Sequence, residues 1–276
     1  MRSLAGLALA WIATGAAAGC GPSPDPCEAA GGTYHIALPQ TVASPVPAVV
    51  FLHGHGGSGE GVLRMREMVT AFTTAGYAVI APDGAPRPNG TRSWSFRGDL
   101  ATRDDFTFLP AVLADAADRF DLDTERSVLA GFSSGAFMVN YLACKTPEAF
   151  AAYLPVAGGF WRPMPESCTG PVRLYHSHGW RDGTVPLEGR ILGNGRFIQG
   201  DIWAGFDLWR QAMGCRSPAP EQAWQEGDLM LREWHCGAKA ELRVELFLGG
   251  HMVPEGWAER VITWLKAPTT ASSSTE

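Results

Sequence analysis

Ser127-Val-Leu-Ala-Gly-Phe-Ser-Ser-Gly135 reads as a buried strand running straight into a sharp, glycine-flanked turn. Within it, Gly131-Phe-Ser-Ser-Gly135 fits G-x-S-x-G, the nucleophile elbow, in which a strained strand-to-helix turn holds a serine hydroxyl clear of a sheet. Side chains at 131 and 135 would collide as strand and helix fold back on one another, and glycine tolerates that approach. The pentapeptide alone is weak, because a chain with 33 glycines matches it by chance on the order of a few tenths of a time. Its flanks give it weight. Val128-Leu-Ala130 is a short apolar strand run, and Ala136–Cys144 lacks breakers and suits a helix packed on a sheet.

Working outward, strand signals recur at intervals that leave room for helices. Tyr34–Leu38 alternates as an edge strand does, whereas Ala48–Leu52 and Tyr77–Ala81 are continuous apolar runs expected of strands buried on both faces. Ser127–Ala130, Tyr153–Ala157, Val172–His176 and Arg243–Leu248 continue the series. Helical patterns fall at Glu60–Thr74, Asp104–Phe120, Ala136–Lys145, Asp201–Met213 and Trp257–Lys266. Strands alternating with helices predict an α/β fold with a mostly parallel central sheet and helices on both faces. With 276 residues, 46% of them hydrophobic, the chain can bury one substantial core, and a single domain over 33–266 is expected.

The ends differ in composition. Arg2 followed by the apolar, small-residue run Leu4–Ala18 reads as an export signal over residues 1–19. Residues 20–32 carry three prolines and read as a leader, and the Thr/Ser-rich stretch 267–276 reads as a disordered tail. An exported chain is extracellular, periplasmic or tethered to the cell envelope. Cys20 has two readings: a lipid anchor to the membrane, since Ala17-Ala-Gly-Cys20 resembles a bacterial lipoprotein box, or a disulfide with Cys27 across a proline-rich turn. The net charge of −6, with basic residues scattered, excludes the basic stripe of a nucleic-acid binder.

A serine hydroxyl is a poor nucleophile at neutral pH, so Ser133 needs a base within hydrogen-bond reach and an acid to orient that base. In open α/β sheets such groups sit at the carboxyl ends of strands. His251 follows the strand pattern ending at Gly249-Gly250, and Asp182 follows the one ending at His176. Glu188 and Asp201 are reserve acids. The order Ser133, Asp182, His251 matches the Ser…Asp…His order of α/β-hydrolases. A developing oxyanion needs backbone donors. Ser134 N–H is one, and the glycine-rich loop His53–Gly59 supplies the other, expected at His55 N–H. The pairs His53-x-His55 and His176-x-His178 suggest metal ligation, but triad chemistry requires no metal and no cofactor. Trp94, Phe132, Trp161 and Trp180 are candidates to line an acyl or aryl pocket, with core packing as the competing role. The stretch Arg190–Gln199 lies between acid and next helix, as a substrate-side or plain surface loop.

Taken together, Leu52-His-Gly-His-Gly-Gly-Ser58, Ala81-Pro-Asp-Gly84 with Trp94, Asp104-Asp-Phe106, Arg126–Gly135, Leu154-Pro-Val-Ala-Gly-Gly159, His178–Pro186 and Gly249-Gly-His-Met-Val-Pro254 form an ordered set. It resembles the extracellular esterases grouped with polyhydroxybutyrate depolymerases and feruloyl or acetylxylan esterases, within the α/β-hydrolase superfamily. The resemblance runs from about Tyr34 to Leu265. It implies the same triad, Ser133, Asp182 and His251, and hydrolysis of carboxylic esters, whether polyester oligomers, feruloyl or acetyl esters. Resemblance and sequence proximity together imply disulfides Cys144–Cys168 and Cys215–Cys236. The chain departs from the family pattern at His55, where cysteine is common, at Ser134, where Asn or Ala is common, and at Val253, where an aromatic is common. No binding domain follows residue 266, from which soluble oligomers or small esters are expected. Alternatives are a serine peptidase on the same scaffold, or a noncatalytic envelope binding protein.

Overall fold

The computed structural model describes residues 19–40, 45–97, 103–237 and 239–267. The export signal expected over 1–19 lies, except for Gly19, outside the described residues, as does the tail from 268. Ten strands form one sheet: β1 (Cys27–Ala29), β2 (Gly32–Ala37), β3 (Val46–Leu52), β4 (Ala78–Pro82), β5 (Leu122–Phe132), β6 (Tyr153–Val156), β7 (Arg173–Gly179), β8 (Gln222–Glu226), β9 (Leu229–Gly237) and β10 (Ala240–Phe247). Their spatial order is β1-β2-β4-β3-β5-β6-β7-β10-β9-β8. The six strands from β4 through β10 pair in parallel, and an antiparallel pair extends each edge.

Period-2 alternation along these strands splits the interior into two cores. Val50, Leu52, Ile80, Leu129, Leu174 and Leu246 face one side. There they meet α3 (Asp105–Phe120), α4 (Ser134–Lys145) and α5 (Ile202–Ala212). Val49, Phe51, Val79, Ala130, Leu154 and Tyr175 face the other, against α1 (Gly59–Leu63), α2 (Arg66–Thr74) and α6 (Trp257–Lys266). Burial on both faces is why these strands carry unbroken apolar runs. No helix of the described residues is long and apolar enough to cross a membrane.

Three features correct the sequence expectations. The helix expected over Glu60–Thr74 is two helices, broken at Met65, whose φ −75°, ψ 69° is non-helical; apolar spacing runs through the break and conceals it. The segment 20–32 is no detached leader: Cys27–Ala29 pairs with Gly32–Tyr34, and Ile36 N–H donates to Gly19 O at 2.9 Å, so backbone hydrogen bonds fix it to the sheet edge. The hairpin β8–β9 was not expected at all.

Disulfides join Cys20 to Cys27, Cys144 to Cys168 and Cys215 to Cys236, at sequence separations of 7, 24 and 21 residues. The last two are the pairs implied by resemblance. Of the two readings of Cys20, the structure carries the bond to Cys27, which leaves its sulfur no valence for a lipid thioether.

Candidate active site

At the carboxyl end of β5, Ser133 adopts φ 55°, ψ −117°, a conformation that costs an L-residue roughly 1–3 kcal/mol. Close packing imposes it. A Cβ on Gly131 would stand 2.7 Å from Gly135 C, one on Gly135 would stand 2.4 Å from Leu52 O, and one on Gly158 would stand 2.8 Å from Ser133 O. Ser133 N–H donates to Val156 O at 2.9 Å, and Ser133 O accepts from Phe137 N–H at 3.1 Å. The turn is therefore pinned between β6 and α4 at the carboxyl end of the central strands, with the hydroxyl turned toward His251.

His251 and Asp182 arrive from loops after β10 and β7. His251 Nε2 lies 2.8 Å from Ser133 Oγ, and Nδ1 lies 2.7 Å from Asp182 Oδ2. A carboxylate only accepts, so Nδ1 carries the proton and Nε2 is left to accept from the hydroxyl. Asp182 Oδ1 takes N–H donors from Thr184 and Val185, each at 2.8 Å. Burial works against the Asp182 charge, but the hydrogen bonds from His251 and from the Val185 and Thr184 amides hold its carboxyl below the usual range. The reserve acids sit elsewhere: Asp201 caps α5 through Ala204 N–H at 3.1 Å, and Glu188 is exposed.

The loop after β3 passes against the nucleophile, for a Cβ on Gly54 would stand 3.4 Å from Ser133 Cβ. His53 holds that loop through both ring nitrogens. Gly84 N–H donates to its Nε2 at 2.9 Å, so Nδ1 bears the proton and donates to Gly54 O at 2.7 Å. Among the described residues, neither His55 N–H nor Ser134 N–H has an acceptor. Ser134 Oγ lies 3.1 Å from Ser93 Oγ.

The four aromatic candidates separate. Phe132 packs on the His251 ring, centroids 4.7 Å apart. Trp180 is 48% exposed. Trp161 is half-buried in a cluster with Phe96, Phe137 and Phe197. Trp94 is corrected: it is 1% exposed and its Nε1–H donates to His53 O at 2.8 Å, so it supports the loop and lines no open pocket. Composition could not separate these roles. The Arg190–Gln199 stretch is a short hairpin, Ile191–Leu192 against Phe197–Ile198, tied to the acid loop by Arg190 Nη1 donating to Gly183 O at 3.1 Å.

Burial also pushes the imidazoles of His53, His176 and His178 below their ordinary pKa. Above about pH 6.5, folded and unfolded chains both hold them neutral; below it the unfolded chain takes up protons that the folded chain refuses. Stability is therefore expected to fall between pH 7.5 and 5.5, with a limiting slope of about 1.4 kcal/mol per pH unit for each imidazole. Urea midpoints across that window test this, and a flat or rising profile would contradict it.

The fold has close counterparts among solved structures. An acetyl xylan esterase from Aspergillus awamori superposes with a TM-score of 0.62 at 18% identity, over 85% of this chain and 93% of that one. The chain has the α/β-hydrolase fold. Among curated relatives, the chain is 24% identical over 163 residues to the bifunctional acetylxylan esterase/xylanase XynS20E of Neocallimastix patriciarum, 58% of this chain and 23% of that protein. It is 24% identical over 225 residues to feruloyl esterase B of Piromyces equi, 76% of this chain and 40% of that protein. The chain thus spans less than half the length of either relative. Residues 64–161 match the prolyl oligopeptidase family, Peptidase_S9.

Proposed function

We propose that the protein is an exported serine esterase that cleaves carboxylic esters through an acyl-enzyme. The observation that carries this reading is the pair of contacts at His251, 2.8 Å to Ser133 Oγ and 2.7 Å to Asp182 Oδ2. Ser133 Oγ attacks the ester carbonyl as its proton passes to His251 Nε2. Asp182 holds the imidazole tautomer and stabilises the cation that forms. The carbonyl oxygen, now anionic, takes the Ser134 and His55 N–H groups, and losing one such donor costs about 3 kcal/mol of barrier. His251 then protonates the departing alkoxide. Water, activated by the same imidazole, releases the acid and restores Ser133. No step requires a cofactor.

Named esterases among relatives and structural neighbours support the ester class, and three disulfides support an oxidising compartment. A second reading, a serine peptidase with the same triad, is favoured by the match over residues 64–161. The two separate on a matched panel: p-nitrophenyl acetate and butyrate, methyl ferulate, acetylated xylan, 3-hydroxybutyrate oligomers and a peptide anilide, each with and without the Ser133→Ala change. Ser133-dependent turnover of an ester is expected and names the acyl class. Turnover of the anilide alone would move the assignment to the peptidase.

A further inference from the structure

Behind the acid lies a second pair of imidazoles that the reaction above does not use. His176 and His178 project from the same face of β7, 1% and 0% exposed, with ring planes 4° apart and centroids at 5.4 Å. His176 Nε2 lies 3.1 Å from His178 Nδ1, and His178 Nε2 lies 2.8 Å from Val185 O. The roles of all these nitrogens follow from one fixed point. A carbonyl oxygen only accepts, so His178 Nε2 carries a proton; a neutral His178 must then accept at Nδ1, which makes His176 Nε2 the donor. Burial keeps both rings neutral. With both His178 nitrogens engaged, that ring has no lone pair left for a metal ion.

The acceptor is the informative partner. Val185 is the residue whose own N–H donates to Asp182 Oδ1, and His178 Nε2 also stands 3.6 Å from Asp182 Oδ2, its N–H dipole near the carboxylate oxygen that serves His251. That distance is too long for a hydrogen bond and leaves electrostatic contact only. The opposite tautomer would turn a lone pair toward both oxygens. An apolar side chain at 178 would fill the space more cheaply than an imidazole whose polar atoms must each find a buried partner.

Resting on the proposed triad, we propose that His178 is a positioning residue for the acid: it anchors the 182–185 turn through Val185 O, with His176 locking the tautomer that makes this possible. A misplacement of the order of 1 Å at such a group costs up to about 100-fold in rate. His178→Leu is expected to lower kcat on a p-nitrophenyl ester by about 10- to 100-fold with KM within about twofold. His178→Gln, whose Nε2 can still donate to Val185 O, should recover most of it. His176→Leu, which removes only the tautomer lock, should give an intermediate loss.

Two further measurements separate positioning from general support of the fold. In an Asp182→Ala background, His178→Leu should cause no further loss, because its effect runs through the missing carboxylate; the same fold-loss in both backgrounds would overturn the proposal. The low-field proton resonance of His251 Nδ1–H should weaken or vanish in His178→Leu and persist in His178→Gln. If His178→Leu does not fold, the same comparisons are made with His176→Leu and His178→Gln, and wild-type kcat in His176→Leu would overturn the proposal. Failure of the esterase reading shows separately, as wild-type protein without Ser133-dependent turnover, while the resonance still reports on the Asp182–His251 contact.

Discussion

Ser133→Ala is expected to lower ester turnover by at least about 10⁴-fold while leaving a folded protein of near wild-type stability. On the proposed mechanism the loss follows from removing the atom that would form the acyl bond, leaving binding and the oxyanion donors. The fold should tolerate the change because alanine occupies the same φ of 55° at no greater steric cost than serine. Among the described residues the hydrogen bond lost is Oγ to His251 Nε2, worth about 1 kcal/mol. The measurement is kcat on the preferred ester beside urea midpoints for both proteins. A well-folded variant retaining a tenth of the activity would remove Ser133 from the nucleophile's place.

Asp182→Asn should cost nearly as much, about 10⁴-fold in kcat, for a reason visible in the acid loop. Thr184 and Val185 both aim N–H groups at Oδ1, so an asparagine must put its carbonyl oxygen there. Its amide nitrogen then occupies the Oδ2 position and faces His251 Nδ1, which has to accept. The imidazole proton moves to Nε2, where it blocks transfer from Ser133 Oγ. The prediction is specific: Asp182→Asn should be about as damaging as Asp182→Ala even though it is nearly isosteric. Substantially higher activity in the asparagine variant would mean that Asp182 acts by filling space.

How much of this was legible in the sequence depended on whether one physical pressure acted alone. The parallel strands were readable because burial on both faces demands unbroken apolar runs, as at Ala48–Leu52. The three residues that meet at His251 were readable because topology forces such groups onto loops at strand carboxyl ends, in a fixed order. The hairpin β8–β9 escaped because its outer strand, Gln222-Ala-Trp-Gln-Glu226, is mostly exposed and polar. Its one available signal was the turn at Gly227-Asp228, with Gly227 at φ 57°, a left-handed turn suited to a hairpin. β5 runs from Leu122, well before the expected Ser127, because Thr124–Arg126 are exposed and polar while still in the strand. The split at Met65 and the inward Trp94 depend on contacts made across long sequence distances, which local pattern does not encode.

The three disulfides all link neighbours along the chain, with no bridge between the halves of the sheet. Closing such short loops restricts an unfolded chain by roughly 2–3.5 kcal/mol each. For oxidative maturation this locality is an advantage. Each thiol meets its proper partner at high effective concentration while the rest of the chain is still disordered, which disfavours scrambled isomers. The long-range order of strands is left to hydrophobic burial, so a reductant would loosen the sheet edge at Cys20–Cys27 and the ends of α4 and β9 without unlinking the parallel core that carries Ser133, Asp182 and His251.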